Sequence, residues 1–174
     1  MKNQKRFNIL LIVLCFALIG LDQFTKFLAV TGLKNKPAIP IIEGVFELNY
    51  LENTGAAFGI LQGQKWILLL ITIIELIVLV VLYIKLPYEK KYIPLKIIDV
   101  FVIAGAIGNI IDRVLYNYVV DFFYFKLIDF PIFNVADIYV TVSVLLLFVL
   151  FLFYYKEEDF DAVIHNKIWR KNNG

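Results

Sequence analysis

The sequence predicts an all-α membrane protein with four transmembrane helices, a small extracytoplasmic β-segment, and an outer loop between helices three and four. Three observations lead there. Apolar residues make up 61% of the 174 positions and mean hydropathy is +0.79, more apolar surface than a soluble core of this size can hide. Four segments, 7–30, 66–83, 97–115 and 138–155, reach or approach the roughly 20 helical residues that cross a bilayer core. The cations cluster on one side of such a bundle. Lys2, Lys5 and Arg6 precede the first span, Lys85, Lys90, Lys91 and Lys96 separate the second from the third, and Lys156, Lys167, Arg170 and Lys171 follow the fourth. The positive-inside rule then puts both termini in the cytoplasm. Residues 1–174 are expected to form a single integral membrane domain, with 31–65 and 116–136 outside and 156–174 as a cytoplasmic tail.

The composition also excludes. A net charge of +2, with its cations spread along the chain, argues against a nucleic-acid partner. Cys15 is the only cysteine and lies mid-span, and His165 is the only histidine and lies in the tail. No intrachain disulfide can form, and thiolate or imidazole metal sites and Ser/His or Cys/His triads lack their parts. No metal and no cofactor is expected.

The first span opens like a secretory signal, basic and then apolar from Ile9 to Leu21. It runs into Asp22-Gln23-Phe24-Thr25-Lys26 rather than a small-residue cleavage site, so it is read as retained. Asp22 and Lys26, four apart, share a helical face, which suits either a salt bridge at the outer helix end or support of a site. Pro37, Pro40 and Gly44 then break any helix, and 45–52 alternates apolar with polar, a half-buried strand. It ends in Asn53-Thr54-Gly55-Ala56-Ala57-Phe58-Gly59, whose Asn53 is either part of a strand-to-helix turn or an amide aimed at a substrate backbone. The second span carries a lone acid, Glu75, for which the sequence offers no partner.

In the third span, Gly105, Gly108, Asn109, Asp112 and Arg113 recur at spacings of three and four, which places them on one face. The glycines allow close helix approach. The polar three are either a buried network with Asp112 and Arg113 paired or part of a site. In 119–125 a carboxylate, Asp121, stands among Val, Phe and Tyr. A merely solvated acid would sit among polar neighbours. Asn134 is a good N-cap for the fourth span, and Asp137 three residues on fits a capping box and the positive helix end.

Polar and ionisable groups at membrane depth cost several kcal/mol unless they meet a partner or water, so their default reading is functional. Two adjacent carboxylates cannot both ionise comfortably; one keeps a proton and the other serves as base, a pairing able to activate water against an amide. Asp121 and Asp137 flank the outer ends of spans three and four and are the plausible couple. Asp22, Asp112 and, more weakly, Asp129 compete.

The motifs Asp22-Gln23-x-Thr25-Lys26, Asn53-x-Gly55-Ala56-Ala57-Phe58, Gly105-Ala106-x-Gly108-Asn109-x-x-Asp112-Arg113, Val120-Asp121-Phe122 and Phe133-Asn134-x-Ala136-Asp137 occur in this order. Together, across about residues 20–140, they resemble lipoprotein signal peptidase, also called signal peptidase II. The resemblance implies a bacterial inner-membrane aspartyl endopeptidase that removes signal peptides from prolipoproteins, cutting before the diacylglyceryl-modified cysteine. It implies Asp121 and Asp137 as the catalytic dyad, and Asn53, Asn109, Arg113 and Asn134 as polar residues that line or brace the site. Asp22 and Asp112 would stabilise it, with Gly105 and Gly108 in the same motif set. The implied partners are the lipidated substrate, membrane lipid and the cyclic peptide inhibitor globomycin, and the chain is expected to act as a monomer. Ala104-Gly105 stands where the family often has two glycines.

Two other readings use the same residues. A transporter or proton pathway would string Asp22, Glu75, Asp112, Asp121 and Asp137 through the membrane. All but Glu75 gather at the outer ends, which disfavours a relay. A non-enzymatic assembly protein would use its polar clusters only to bind helices together.

Overall fold

The computed structural model describes residues 2–56 and 60–159. Four helices dominate: α1 (Lys2–Leu33), α2 (Lys65–Lys85), α3 (Ile93–Tyr116) and α4 (Val135–Phe153). Each is long and apolar enough to cross a membrane. Three strands, β1 (Ile39–Ile42), β2 (Phe46–Asn53) and β3 (Val119–Tyr124), form one antiparallel sheet in the order β1-β2-β3. All three lie in the segments between helices that the charge pattern assigns to the outside.

Half of the most apolar stretch of α3 is buried inside the protein, against 17% or less in the other three helices. α3 is therefore the helix around which the others pack. Its small residues make this possible: a Cβ on Gly105 would lie 2.7 Å from the carbonyl oxygen of Ala136 on α4, and one on Gly108 would lie 2.5 Å from Oδ2 of Asp22 on α1. Both helices come too close to tolerate a methyl group. Leu18, Ala104 and Tyr139 join α1, α3 and α4, with the Tyr139 hydroxyl donating to the Leu18 carbonyl.

The helices differ somewhat from the expected spans. α1 runs past both limits, and α4 begins at Val135, so Asp137 sits in its first turn. Lys96, expected in the cytoplasmic connector, is instead a buried residue of α3. Its Nζ donates to the Tyr83 carbonyl and lies over the Tyr83 ring, where a cation suits the C-terminal end of α2.

The sheet stands on the outer end of α1. Ala29 and Leu33 pack against Val120 and Phe122, with Leu48, Tyr50 and Phe123 around them. β3 follows α3 almost at once because Asn117 takes a left-handed conformation, φ 70°, that ends the helix and turns the chain back. Only β2 was expected as a strand. β3 escapes a period-two reading because four of its six residues, Val119 to Phe122, are buried on both faces.

Candidate active site

Two pairings outside the helices bring the acidic residues together. β2 and β3 pair so that Leu51 lies opposite Asp121 and Asn53 opposite Val119. Phe133 then pairs with Phe123, each donating its N–H to the other's carbonyl at 3.0 and 2.9 Å. The loop between them is thus closed at its neck, and Asn134 returns beside Asp121 at the entrance to α4. Glu47 and Lys126, 3.1 Å apart, tie the same loop to β2.

Asn134 is the shared residue. Its side-chain Nδ2 donates to Oδ1 of Asp121 at 2.6 Å, and its backbone N–H donates to Oδ2 of Asp137 at 3.1 Å. Its own Oδ1 accepts from the backbone N–H of Asp137, completing the expected capping box. Asn53 donates from Nδ2 to the second oxygen of Asp121 at 2.8 Å, and Asn109 from Nδ2 to Oδ1 of Asp137 at 3.0 Å. Every carboxylate oxygen of the pair accepts one hydrogen bond from this set.

Behind the pair lies a charged brace. Lys26 Nζ meets Asp22 Oδ2 at 3.0 Å, Asp112 Oδ2 at 3.1 Å and Asn109 Oδ1 at 2.9 Å. All three charged residues are at most 3% exposed. Each carboxylate also anchors the backbone just before one member of the pair. Asp112 accepts from the N–H of Val120, and Asp22 from the N–H of Ala136, both at 3.0 Å. Gln23 spans the two acids, donating to Asp112 Oδ1 at 2.9 Å and Asp22 Oδ2 at 3.1 Å. Buried charges persist when paired and hydrogen-bonded in this way.

Asp121, Asp137, Asn53, Asn109 and Arg113 line one cavity of about 770 Å³. Its remaining wall is largely apolar, including Ile128, Phe130, Ile132, Phe133, Ile138 and Val142. Asp121 is 1% exposed, while Asp137 is only half-buried. Burial, and secondarily the charge of Asp137, push the Asp121 carboxyl up to about 7 against the opposing pull of Asn53, Asn134 and Lys26.

The expected residues thus divide by place. Asn134, Asp22 and Asp112 stand behind the cavity wall, and Gly105 and Gly108 are the close-contact points of α3. Asp112 does not pair with Arg113; it turns to α1 and β3, and Arg113 donates instead to the Gly55 carbonyl at 3.2 Å. The face predicted for α3 is really an arc reaching from α1 round to α4. Asp129 stays outside the cavity and accepts from the Tyr124 hydroxyl. Glu75 is exposed on α2 and makes no hydrogen bond or ion pair among the described residues. Ala57, Phe58 and Gly59 lie outside the described residues. Sequence reasoning missed Gln23 and the contacts of Lys26 with Asp112 and Asn109, although Gln23 and Lys26 both belong to the first motif.

The model of the Signal peptidase (SPase) II family matches residues 14–153. The chain belongs to the signal peptidase II family. It is 44% identical over 147 residues to a lipoprotein signal peptidase of Streptococcus thermophilus, covering 84% of this chain and 93% of that one. A Brevibacillus brevis lipoprotein signal peptidase is 46% identical over 127 residues, covering 73% and 84%. Among solved structures, a bacterial membrane enzyme determined in meso at 2.3 Å aligns with a TM-score of 0.72 and 34% identity, over 84% of this chain and 92% of that one. Signal peptidase II is a peptidase family, and its four apolar helices here mark a multi-pass membrane protein.

Proposed function

We propose that the chain is an aspartyl endopeptidase that removes signal peptides from bacterial prolipoproteins, cutting before the diacylglyceryl-modified cysteine. Asp121 and Asp137 are its catalytic dyad. The observation that carries this reading is the pairing of the two carboxylates through Asn134 on the wall of one cavity. The relatives' name supplies the substrate class.

Asp121 is the member that holds the proton at rest, since burial and the neighbouring charge disfavour its anion. Asp137 is the base. It is the less buried of the two and sits at N3 of α4, where the helix N-terminus favours an anion. Asp137 takes a proton from water as the oxygen bonds to the scissile carbonyl carbon, and Asp121 protonates the carbonyl oxygen. The proton on Asp137 then passes to the amide nitrogen as the C–N bond breaks, while Asp121 takes back a proton from one hydroxyl of the gem-diol, so that a carboxylic acid and an amine leave and the dyad returns to its starting state. Asn53 and Arg113, on the same wall, are placed to hold the substrate backbone.

The apolar wall suits acyl chains, and the neighbouring Val142 and Leu145 on α4 are exposed where lipid would lie. Substrate enters sideways from the bilayer, with its scissile bond at the outer surface. The cation distribution supports both termini in the cytoplasm and the site at the extracytoplasmic face, and the bacterial inner membrane is carried over from the family resemblance. Globomycin, carried over from the family resemblance, is expected to occupy the same cavity, and the chain acts as a monomer.

The test is cleavage of a diacylglyceryl-modified precursor peptide by purified protein. Asp121→Asn and Asp137→Asn, each with a wild-type thermal transition, are expected to lose at least about 10³-fold in kcat. Activity surviving either substitution would remove that residue from the dyad.

A further inference from the structure

We propose that Lys26, which lies behind the cavity on α1, is a positioning residue for the dyad and acts through Asn109. The proposal rests on the assignment of Asp121 and Asp137 above.

An asparagine side chain has a donor end and an acceptor end, and only one of its two orientations serves a carboxylate. Three asparagines serve this pair, and each is oriented by what its oxygen accepts. The Asn53 oxygen takes the Gly55 N–H at 2.9 Å, and the Asn134 oxygen takes the Asp137 N–H at 3.1 Å. Both of those locks are backbone groups. The Asn109 oxygen instead takes the Lys26 ammonium at 2.9 Å and the Asn134 Nδ2 at 3.2 Å. Its orientation therefore depends on side chains.

A flipped Asn109 would turn its NH₂ toward an ammonium that can only donate and its oxygen toward a carboxylate that can only accept. Lys26 forbids this. Pairing with Asp22 and Asp112 uses two of its three N–H donors; the third goes to a neutral amide whose other end reaches Oδ1 of Asp137. Removing Lys26 leaves the Asn109 oxygen held only by Asn134 Nδ2 at 3.2 Å, so Asn109 is less firmly aimed and its bond to Asp137 Oδ1 is weakened. The charged groups that face Asp137 are Arg113 on α3 and Asp121 on β3, while Lys26 on α1 reaches it through Asn109. Of these, only Lys26 is bonded to the residue that donates to Asp137 Oδ1.

The experiment is a double-mutant cycle on cleavage of the diacylglyceryl-modified precursor peptide, using Lys26→Met, Asn109→Leu and the pair. Each single variant is expected to lose about 10- to 100-fold in kcat with KM within about threefold of wild type. The pair should lose no more than the worse single variant.

Losses that multiply, or a loss confined to KM, would overturn the proposal. Should Lys26→Met not fold, Lys26→Met/Asp112→Asn runs the same cycle. It keeps the brace's net charge, and Asp22 keeps its bonds from Gln23 and Ala136. Failure of both to fold would make Lys26 a structural ion-pair partner and also overturn the proposal. Activity in Asp121→Asn or Asp137→Asn would instead bring down the dyad assignment, a result separable from any of these.

Discussion

At the residue scale, the controlling fact is the contrast between a buried Asp121 and a half-buried Asp137 joined by Asn134. With the Asp121 carboxyl near 7, kcat/KM on the precursor peptide should fall as pH rises through about 7 and this residue loses its proton. Stability follows the same group. An unfolded Asp titrates near 3.9, so between about pH 4 and 7 the folded state holds a proton that the unfolded state has released. Stability contributed by Asp121 therefore declines as pH rises across that window, by on the order of 1 kcal/mol per unit. Thermal midpoints of detergent-solubilised protein should show this decline in wild type and a flatter profile in Asp121→Asn. Asp121 was legible because a carboxylate among Val and Phe is out of place. The capping box of Asn134 and Asp137 was legible because it is local. The amide of Asn53 on Asp121 was not, since it depends on a strand register between residues 68 positions apart.

At the element scale, α3 does the positioning, and its two glycines meet different obstacles. A methyl at position 105 would press on the main chain of α4, which cannot yield without moving Asp137; one at 108 would press on Asp22, which is fully buried and holds Ala136. Gly105→Ala and Gly108→Ala are each expected to cost about 1–3 kcal/mol, with a loss of peptide cleavage in what remains folded. Gly20→Ala on α1, with nothing within 4 Å of the added carbon, should be neutral or slightly stabilising. Thermal denaturation of the three variants checks the ranking, and equal effects at 20 and 105 would contradict the packing described. The spacing of the glycines announced close approach, but not which neighbour each one meets. β3 was unreadable for the opposite reason. Its residues are uniformly apolar around one acid, so no alternation betrays a strand that is covered on both sides.

At the scale of the whole molecule, the cavity opens between the apolar outer loop and α4, with the charged brace closed behind it. Its orientation in the membrane is testable in a Cys15→Ala background. A cysteine at Leu127, 68% exposed on the outer loop, should react with an impermeant thiol reagent added to intact cells. One at exposed Lys90, in the connector before α3, should react only after permeabilisation. The reverse pattern would invert the topology drawn from the cations.

The sequence by itself determined the number of helices, their apolar character, the local caps, the side on which cations gather, and which polar residues stand out of place. These follow from composition and short-range spacing, which act within a few turns of one element. Tertiary structure decided which of those polar residues meet. The pairing of β2 with β3, the closure of the loop by Phe123 and Phe133, and the approach of α1 to α3 at Gly108 each join distant segments. The partner of Asp112 is therefore Lys26 rather than its neighbour Arg113. Physically, a buried charge takes the partner that packing brings within hydrogen-bond reach, and adjacency in the chain confers no such reach on a helix.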